Sequence, residues 1–429
     1  MKGDGEVGGG PEASGKAELT SVEEHLAEIL AAIAPLAPAE TGVGDAYGLV
    51  LAEDVAAASA LPSFDNSGMD GYAVRVQDVA AASPENPVTL PVTAEVAAGD
   101  TGTYALRPGA SIKIMTGAML PAGTEAVVPV EWTDGGRDRV AIRAGADYGN
   151  AVRLAGGDAK AGEVLVTAGT LLRPMHIAVI AAAGRGSVLV RPRPRVVVLS
   201  TGSELAEPGT PIIPGRIWDS NSFMIAAAAR EAGALAYRQA IVRDHPDEVR
   251  PALEDQLARA DLMITTGGVS MGGEHDVVKA ALQKLGTIKF RKVAMQPGMP
   301  QGFGTITAAG VSGVSGVEPV PIFTLPGNPV SAYVSFQIFA RPAIGALQAY
   351  DGLGLESVRA ELTGPLRSPP GRRSFLRGVL DASRGRLTPL TGQGSHQIAT
   401  LGKANALAVV PEHVVRMSEG DIAEVLVLP

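Results

Sequence analysis

The residues best suited to chemistry lie at three glycine turns. Each follows a short apolar run and precedes a stretch with helical spacing. They are Ser200-Thr201-Gly202-Ser203-Glu204, Thr265-Thr266-Gly267-Gly268-Val269-Ser270-Met271-Gly272-Gly273 and Pro326-Gly327-Asn328-Pro329. Glycine lets backbone amides approach an anion closely, and a following helix N-terminus adds a favourable field. Any one such turn serves equally well as a plain strand-to-helix connection. Three in one unit, with hydroxyls and acids beside them, point to an anion-binding edge.

The acids are Glu204 after the first turn, Asp244 after the run Tyr237–Val242, and Asp276 beyond the Gly-Gly turn. Mg²⁺ takes one or two protein carboxylates and fills its shell with water and phosphate oxygens. Helix capping for Asp276 and a solvated surface for Asp244 are the alternatives. No G-x-x-x-x-G-K-S/T occurs and no G-x-G-x-x-G follows a strand, which disfavours a P-loop NTPase or a dinucleotide dehydrogenase. The six histidines form no metal pair at helical spacing. The string Phe64-Asp65-Asn66-Ser67-Gly68-Met69-Asp70-Gly71-Tyr72-Ala73-Val74 packs acids, an amide and a hydroxyl into a turn entering a strand. Taken alone, it reads as an Asx-turn.

The elements that must position these residues follow from periodicity. Ser21 and Glu24 form a capping-box pattern, and Leu26, Ile29, Leu30 and Ile33 then fall at helical spacing. From Val55 to Val166, short apolar runs between Gly, Pro, Asp and Asn predict a small all-β module, with Met175 to Ala183 a helix after it. From Arg195 to Arg341, strands and helices alternate. Strands are expected at Val196–Leu199, Tyr237–Val242, Leu262–Thr265 and Ile322–Leu325. Helices are expected at Met224–Ala232, Asp247–Arg259, Val277–Leu285 and Val330–Ile344. That alternation implies a doubly wound, mostly parallel sheet, whose ligands bind beyond the carboxyl ends of its strands. The Gly-Ser-Val-rich stretch within Ala308–Pro321 reads as a flexible loop, and Ser357–Pro429 as a β-barrel-like or sandwich module.

The fold class is therefore multidomain α/β plus β. The expected divisions are a disordered leader over 1–18, a linking and dimerisation domain over 19–54 and 150–187, and a β-rich domain over 55–149. An α/β domain over 188–345 and a C-terminal β domain over 346–429 complete them. The net charge of −9 argues against a nucleic-acid binder. The absence of cysteine excludes disulfides and thiolate metal sites. No apolar run is long enough for a bilayer and no secretory signal is evident, so a cytoplasmic, membrane-free location is expected.

The string Asp65–Val74 is similar to the DNSAMDGYA signature of the molybdopterin molybdenumtransferase family, which includes the gephyrin E domain. Met115-Thr116-Gly117-Ala118 resembles its MTGA, Thr201-Gly202-Ser203-Glu204-Leu205 its TGDEL, and Thr266-Gly267-Gly268-Val269-Ser270 its SGGVS. Leu325 to Ser331 resembles its LPGNPVS, and Arg153 to Asp158 its R-x-x-G-x-D segment. These stand in the family's order from about Ser21 to the C-terminus.

The resemblance implies molybdenum insertion into adenylylated molybdopterin, from molybdate, with Mg²⁺ and release of AMP. It implies a homodimer whose cleft lies between the α/β domain of one subunit and the β-rich domain of the other. A molybdopterin adenylyltransferase is a possible partner. Asp65, Asp158, Glu204, Asp244 and Asp276 would be the catalytic acids, the last three holding Mg²⁺. Gly267, Gly268 and Ser270 would hold phosphate oxygens, Thr201 and Gly202 would contact substrate beside them, and Pro326, Gly327, Asn328 and Pro329 would shape the pterin or molybdate pocket. Thr116, Arg153, Lys292 and Ser395 complete the expected contacts. The chain departs from the family's K-x-x-x-K-P-G-K-P segment, because Gln296 and Met299 stand where lysines are common. Arg291 is a candidate to compensate. The loop from Ser270 to Asp276 is one residue longer than usual, which leaves Glu274 or Asp276 as the ligand. A non-catalytic pterin-binding scaffold and a pyrophosphate hydrolase are the alternatives, and the departures leave room for a paralogue with altered activity. The retained acids speak against the first and the Asp65–Val74 string against the second.

Overall fold

The structure, a computed structural model, describes residues 19–243, 245–268, 279, 282, 286–307 and 319–429. The expected leader, the Gly-Ser-Val loop at 308–318 and nearly all of the helix expected at 277–285 lie outside the described residues. The chain divides into two compact units. Pro38–Val190 forms one, and the N-terminal residues through Ala37 with Arg191–Pro429 form the other.

The second of these carries the α/β sheet. Its strand order is Leu235–Arg238, Arg195–Ser200, Leu262–Thr266, Val320–Leu325, Pro300–Ile306 and Lys289–Lys292. The first four are parallel and the last two antiparallel. Alternation along the strands sorts side chains onto two faces. Val196, Val198, Ile264 and Phe323 face helices Asn221–Glu231 and Pro329–Ser335, while Val197, Leu199, Met263 and Ile322 face helix Pro246–Leu257. Both faces are covered, as a near-continuous Val/Ile/Leu run requires.

The antiparallel strands were not evident from the sequence because Lys289–Lys292 carries three cations in four residues and glycine interrupts the apolar pattern of Pro300–Ile306. The structure shows why glycine stands there: a Cβ on Gly304 would lie 2.5 Å from Ile288 Cα. Two other expectations shift. The strand expected at Tyr237–Val242 is Leu235–Arg238, and Val242 returns only as a single bridge to Thr201. The helix expected over Val330–Ile344 is broken by a π segment, Phe336–Ala340, before Arg341–Leu347. Pro342 has no amide to return to the preceding turn, which favours such a local widening.

A closed five-stranded barrel follows, made of Arg373–Asp381, Arg386–Pro389, Ser357–Leu362, Ile422–Val427 and Ala406–Val410. The last strand pairs back to the first. Closure leaves no free sheet edge. In the same unit, helix Val22–Ala31 is capped by Ser21 as expected. Glu24 N donates to Ser21 Oγ at 3.1 Å, and Ser21 N donates to Glu24 Oε2 at 2.9 Å.

The unit Pro38–Val190 is β-rich. Its main sheet runs Ala126–Pro129, Gly71–Val74, Ser111–Ile114, Val88–Val96 and Arg139–Ile142. Helix Pro174–Ala182 and short strand pairs complete it. No helix among the described residues is long and apolar enough to cross a membrane.

Candidate functional site

Strand register brings the three glycine turns side by side. Ser200 pairs with Thr266, and Thr266 with Leu325. Thr201 N donates to Thr266 O at 3.0 Å, and Gly267 N to Leu325 O at 3.1 Å. Thr201–Gly202, Gly267–Gly268 and Pro326–Pro329 therefore form one edge at the carboxyl ends of adjacent parallel strands. A Cβ on Gly267 would lie 2.6 Å from Thr201 O, and its φ is +98°, so glycine is required on two counts. Glu204 is exposed, and its carboxylate lies over Gly202, where a Cβ would meet Glu204 Oε2 at 2.6 Å.

Ser395 joins this edge from the barrel. Val330 N donates to Ser395 O at 3.0 Å, and Asn328 Nδ2 to Ser395 Oγ at 3.1 Å. Lys292 pairs with Pro300, and Gly302 with Thr324, so Lys292 stands two strands, about 10 Å, from the Pro326 turn. Arg291 does not compensate for the missing lysines. It alternates to the opposite face of its strand and pairs with Glu28 at 2.8 Å. Arg373, which sits beside Met295 in the barrel register, is likewise held by Glu23 and by Glu412. Asp244, Ser270, Glu274 and Asp276 lie outside the described residues.

Asp65, Thr116, Arg153 and Asp158 belong to the other unit and are assembled there by bonds between loops distant in sequence. Asp65 Oδ1 accepts from Ala155 N at 2.7 Å, and Asp158 N donates to Leu61 O at 2.9 Å. Arg153 pairs with Asn66 and donates to Gly68 O at 3.4 Å. Asn66 Nδ2 closes a local turn onto Phe64 O at 3.1 Å. Thr116 is held twice by Asp70, whose Oδ1 accepts from its amide and its hydroxyl, both at 2.7 Å. Those bonds, the backbone one first, hold the Asp70 carboxyl below the usual carboxylate range. A cavity of about 580 Å³ adjoins this turn, lined by Gly68, Met69, Trp132 and Arg153 among others.

Sequence reasoning missed four residues. Asp219 is buried and bonds to Ser200 and Ser222, and Asn221 donates to Gly327 O at 2.7 Å. Asp219-Ser220-Asn221 ahead of an Ala-rich helix is a start signal that could have been read. Asp70 lay inside the recognised string without a role. Arg377, 1% exposed, gave no signal, because it sits in a strand among apolar residues. It donates to the carbonyls of Gly392, Gly394 and Gln397, and so shapes the loop that carries Ser395.

No group of three His, Cys, Asp or Glu able to hold a metal occurs among the described residues. The donors at the sheet edge are carboxylate, hydroxyl and peptide oxygens. That chemistry suits a hard cation such as Mg²⁺ rather than zinc.

Three family profiles match in order. The MoeA N-terminal region (domain I and II) covers residues 20–184, a probable molybdopterin binding domain 197–346, and the MoeA C-terminal region (domain IV) 359–428. Over 411 residues the chain is 43% identical to Molybdopterin molybdenumtransferase 2 of Mycobacterium tuberculosis, covering 94% of this chain and 98% of the relative. It is 34% identical to the Bacillus subtilis Molybdopterin molybdenumtransferase over 391 residues, covering 90% and 88%. Among solved structures, a Pyrococcus horikoshii molybdopterin biosynthesis moeA protein matches with a TM-score of 0.81 at 29% identity, covering 96% of this chain and 99% of that one.

Proposed function

The chain belongs to the MoeA family, and on that premise we propose that it is a molybdopterin molybdenumtransferase, inserting molybdenum during molybdenum cofactor biosynthesis. The single observation that carries the reading is the alignment of three glycine turns along one sheet edge, with Glu204 over Gly202.

In the finer form of the proposal, the substrates are molybdate and adenylylated molybdopterin, and AMP leaves. The amide of Gly268, with the hydroxyls of Thr201 and Ser270, holds phosphate oxygens, while Gly202 and Gly267, whose own amides bond Val242 O and Leu325 O, let the phosphate approach the turns. Preorganised donors of this kind stabilise charge that develops as the phosphoanhydride opens. Glu204, with Asp244 and Asp276, holds Mg²⁺, which when bound neutralises charge on the pyrophosphate. Pro326 to Pro329 shape the wall of the pocket. Lys292 and Ser395 contact the oxyanion, and with Gln296 and Met299 beside it, Lys292 carries that duty with fewer cations.

Asp65, Thr116, Arg153 and Asp158 are proposed to act from the partner subunit of a homodimer. The finer division into linking, β-rich, α/β and C-terminal domains, the cytoplasmic location and an encounter with a molybdopterin adenylyltransferase belong to the same proposal.

The test is purified protein with adenylylated molybdopterin, Mg²⁺ and molybdate. Release of AMP with formation of active cofactor is the expected result. Tight binding of the pterin without AMP release would replace catalysis with a scaffold role.

A further inference from the structure

We infer that Asp219 and Asn221 form a positioning clasp that sets the spacing of the three glycine turns; this rests on the reading of those turns as the substrate edge. Asp219 is 2% exposed. Its Oδ1 accepts from Ser200 Oγ at 2.9 Å and from Ser222 N at 3.2 Å, and its Oδ2 accepts from Ser222 Oγ at 2.5 Å. Because Ser200 Oγ donates to Asp219, its contact with Thr266 Oγ1 at 2.9 Å must be an accepted bond. One carboxylate thus fixes the last residues of two adjacent strands, immediately before Thr201–Gly202 and Gly267–Gly268.

The charge does not stand alone. Arg238 Nη2 lies 3.8 Å from Asp219 Oδ2, and Arg238 Nε donates to Ser222 Oγ at 2.6 Å. A buried carboxylate persists only with such partners.

Asn221, two residues on, reaches the third turn by donating to Gly327 O at 2.7 Å. The next residue of that turn, Asn328, donates to Ser395 Oγ. Two residues, Asp219 and Asn221, therefore reach all three turns, the second turn by way of Ser200, and through the third turn they reach the Ser395 loop. A carboxylate serving only as a helix cap would need the Ser222 amide and nothing more. The bonds to Ser200 and from Asn221 to Gly327 are what a cap does not explain. Displacing a binding group by about 1 Å costs on the order of a hundredfold in rate. A clasp across three turns guards against that displacement.

The experiment compares full-length wild type with Asn221→Asp, Asn221→Ala and Asp219→Asn. Asn221→Asp keeps the shape and removes the donor. Hydrogen–deuterium exchange is followed in peptides covering the three turns, with strand Ala406–Val410 as an internal control, alongside kcat and the KM for molybdate. Both Asn221 variants are expected to speed exchange at the Gly327 turn only, to keep the melting temperature within a few degrees, and to lower kcat/KM about tenfold. Asp219→Asn is expected to speed exchange at both other turns and to lower kcat/KM further. Unchanged exchange at the Gly327 turn in both Asn221 variants overturns the clasp. So does faster exchange with unchanged kinetics. If Asp219→Asn does not fold, the Asn221 variants decide. Wild type without turnover would fail the functional reading, and exchange alone would still decide the clasp.

Discussion

The two groups of motif residues are built in opposite ways. Along the α/β sheet edge the proposed site is largely main chain, in the turns of Gly202, Gly267, Gly268 and Gly327 set by strand register. In the β-rich unit the proposed groups are side chains, Asp65, Thr116 and Arg153, each tied to backbone or to a side chain of another loop of the same unit. A main-chain site takes its precision from packing beneath it and fails when a turn moves. A side-chain site fails when a partner is removed, and loses less when the partner is altered conservatively.

The largest expected effect tests the packing beneath the first site. Arg377→Met removes four guanidinium bonds, to Thr400 Oγ1 and to the carbonyls of Gly392, Gly394 and Gln397, and leaves those carbonyls only Thr400 Oγ1 and Gln397 N as donors. At roughly 1 kcal/mol for each of the four lost bonds, a loss of about 4 kcal/mol is expected in a denaturant melt. A loss under about 1 kcal/mol would break the claim that this loop depends on the guanidinium.

Acid should separate the two units. Burial lowers the His25 pKa from 6.5 to about 4. Between those values the unfolded chain takes up a proton that the folded chain refuses, so stability is full above about pH 6.5 and falls as pH drops toward 4. The loss amounts to about 3 kcal/mol. In the β-rich unit, Asp70, Asp100 and Asp134 are lowered carboxylates, whose contribution is lost only as pH falls below the ordinary 3.8. Melts at pH 7 and pH 4.5 should therefore differ for the wild type and differ less for His25→Leu. An equal difference in both proteins would refute the assignment.

Gly267→Ala strikes the main-chain site directly. Its Cβ cannot coexist with Thr201 O at 2.6 Å, so the turn must shift, and turnover is expected to fall on the order of a hundredfold. Asp70→Asn is the mild counterpart in the side-chain site. The acceptor oxygen for Thr116 survives while the charge assistance goes, so turnover should fall by less than about tenfold. Were Asp70→Asn the more damaging of the two, the contrast between the sites would be reversed.

Much of this was legible in the chain itself. The β-branched run Val196–Leu199 announced a buried parallel strand, and Ser21 with Glu24 announced a helix start; both stand as read. The glycine turns were legible as candidates because glycine at a strand end is costly without a use. Lys289–Lys292 was not legible because its charged residues hide the strand, and Pro300–Ile306 was not because Gly302 and Gly304 are explained only by the neighbours they admit. Arg291 looked like a replacement cation, yet the alternation of its strand turns it to Glu28.

What the sequence determined by itself was the set of local commitments: periodicity, caps, turns and the ordered motifs that place the chain in its family. Those depend on residues a few positions apart, and the backbone's few allowed conformations make them readable. Only the tertiary structure decided which polar groups meet. The Asp219 bond to Ser200, the Asn221 bond to Gly327 and the Arg377 bonds around Ser395 join residues 15 to 106 positions apart. A buried donor takes whatever acceptor packing brings within reach, and packing is settled by the whole core rather than by any one segment.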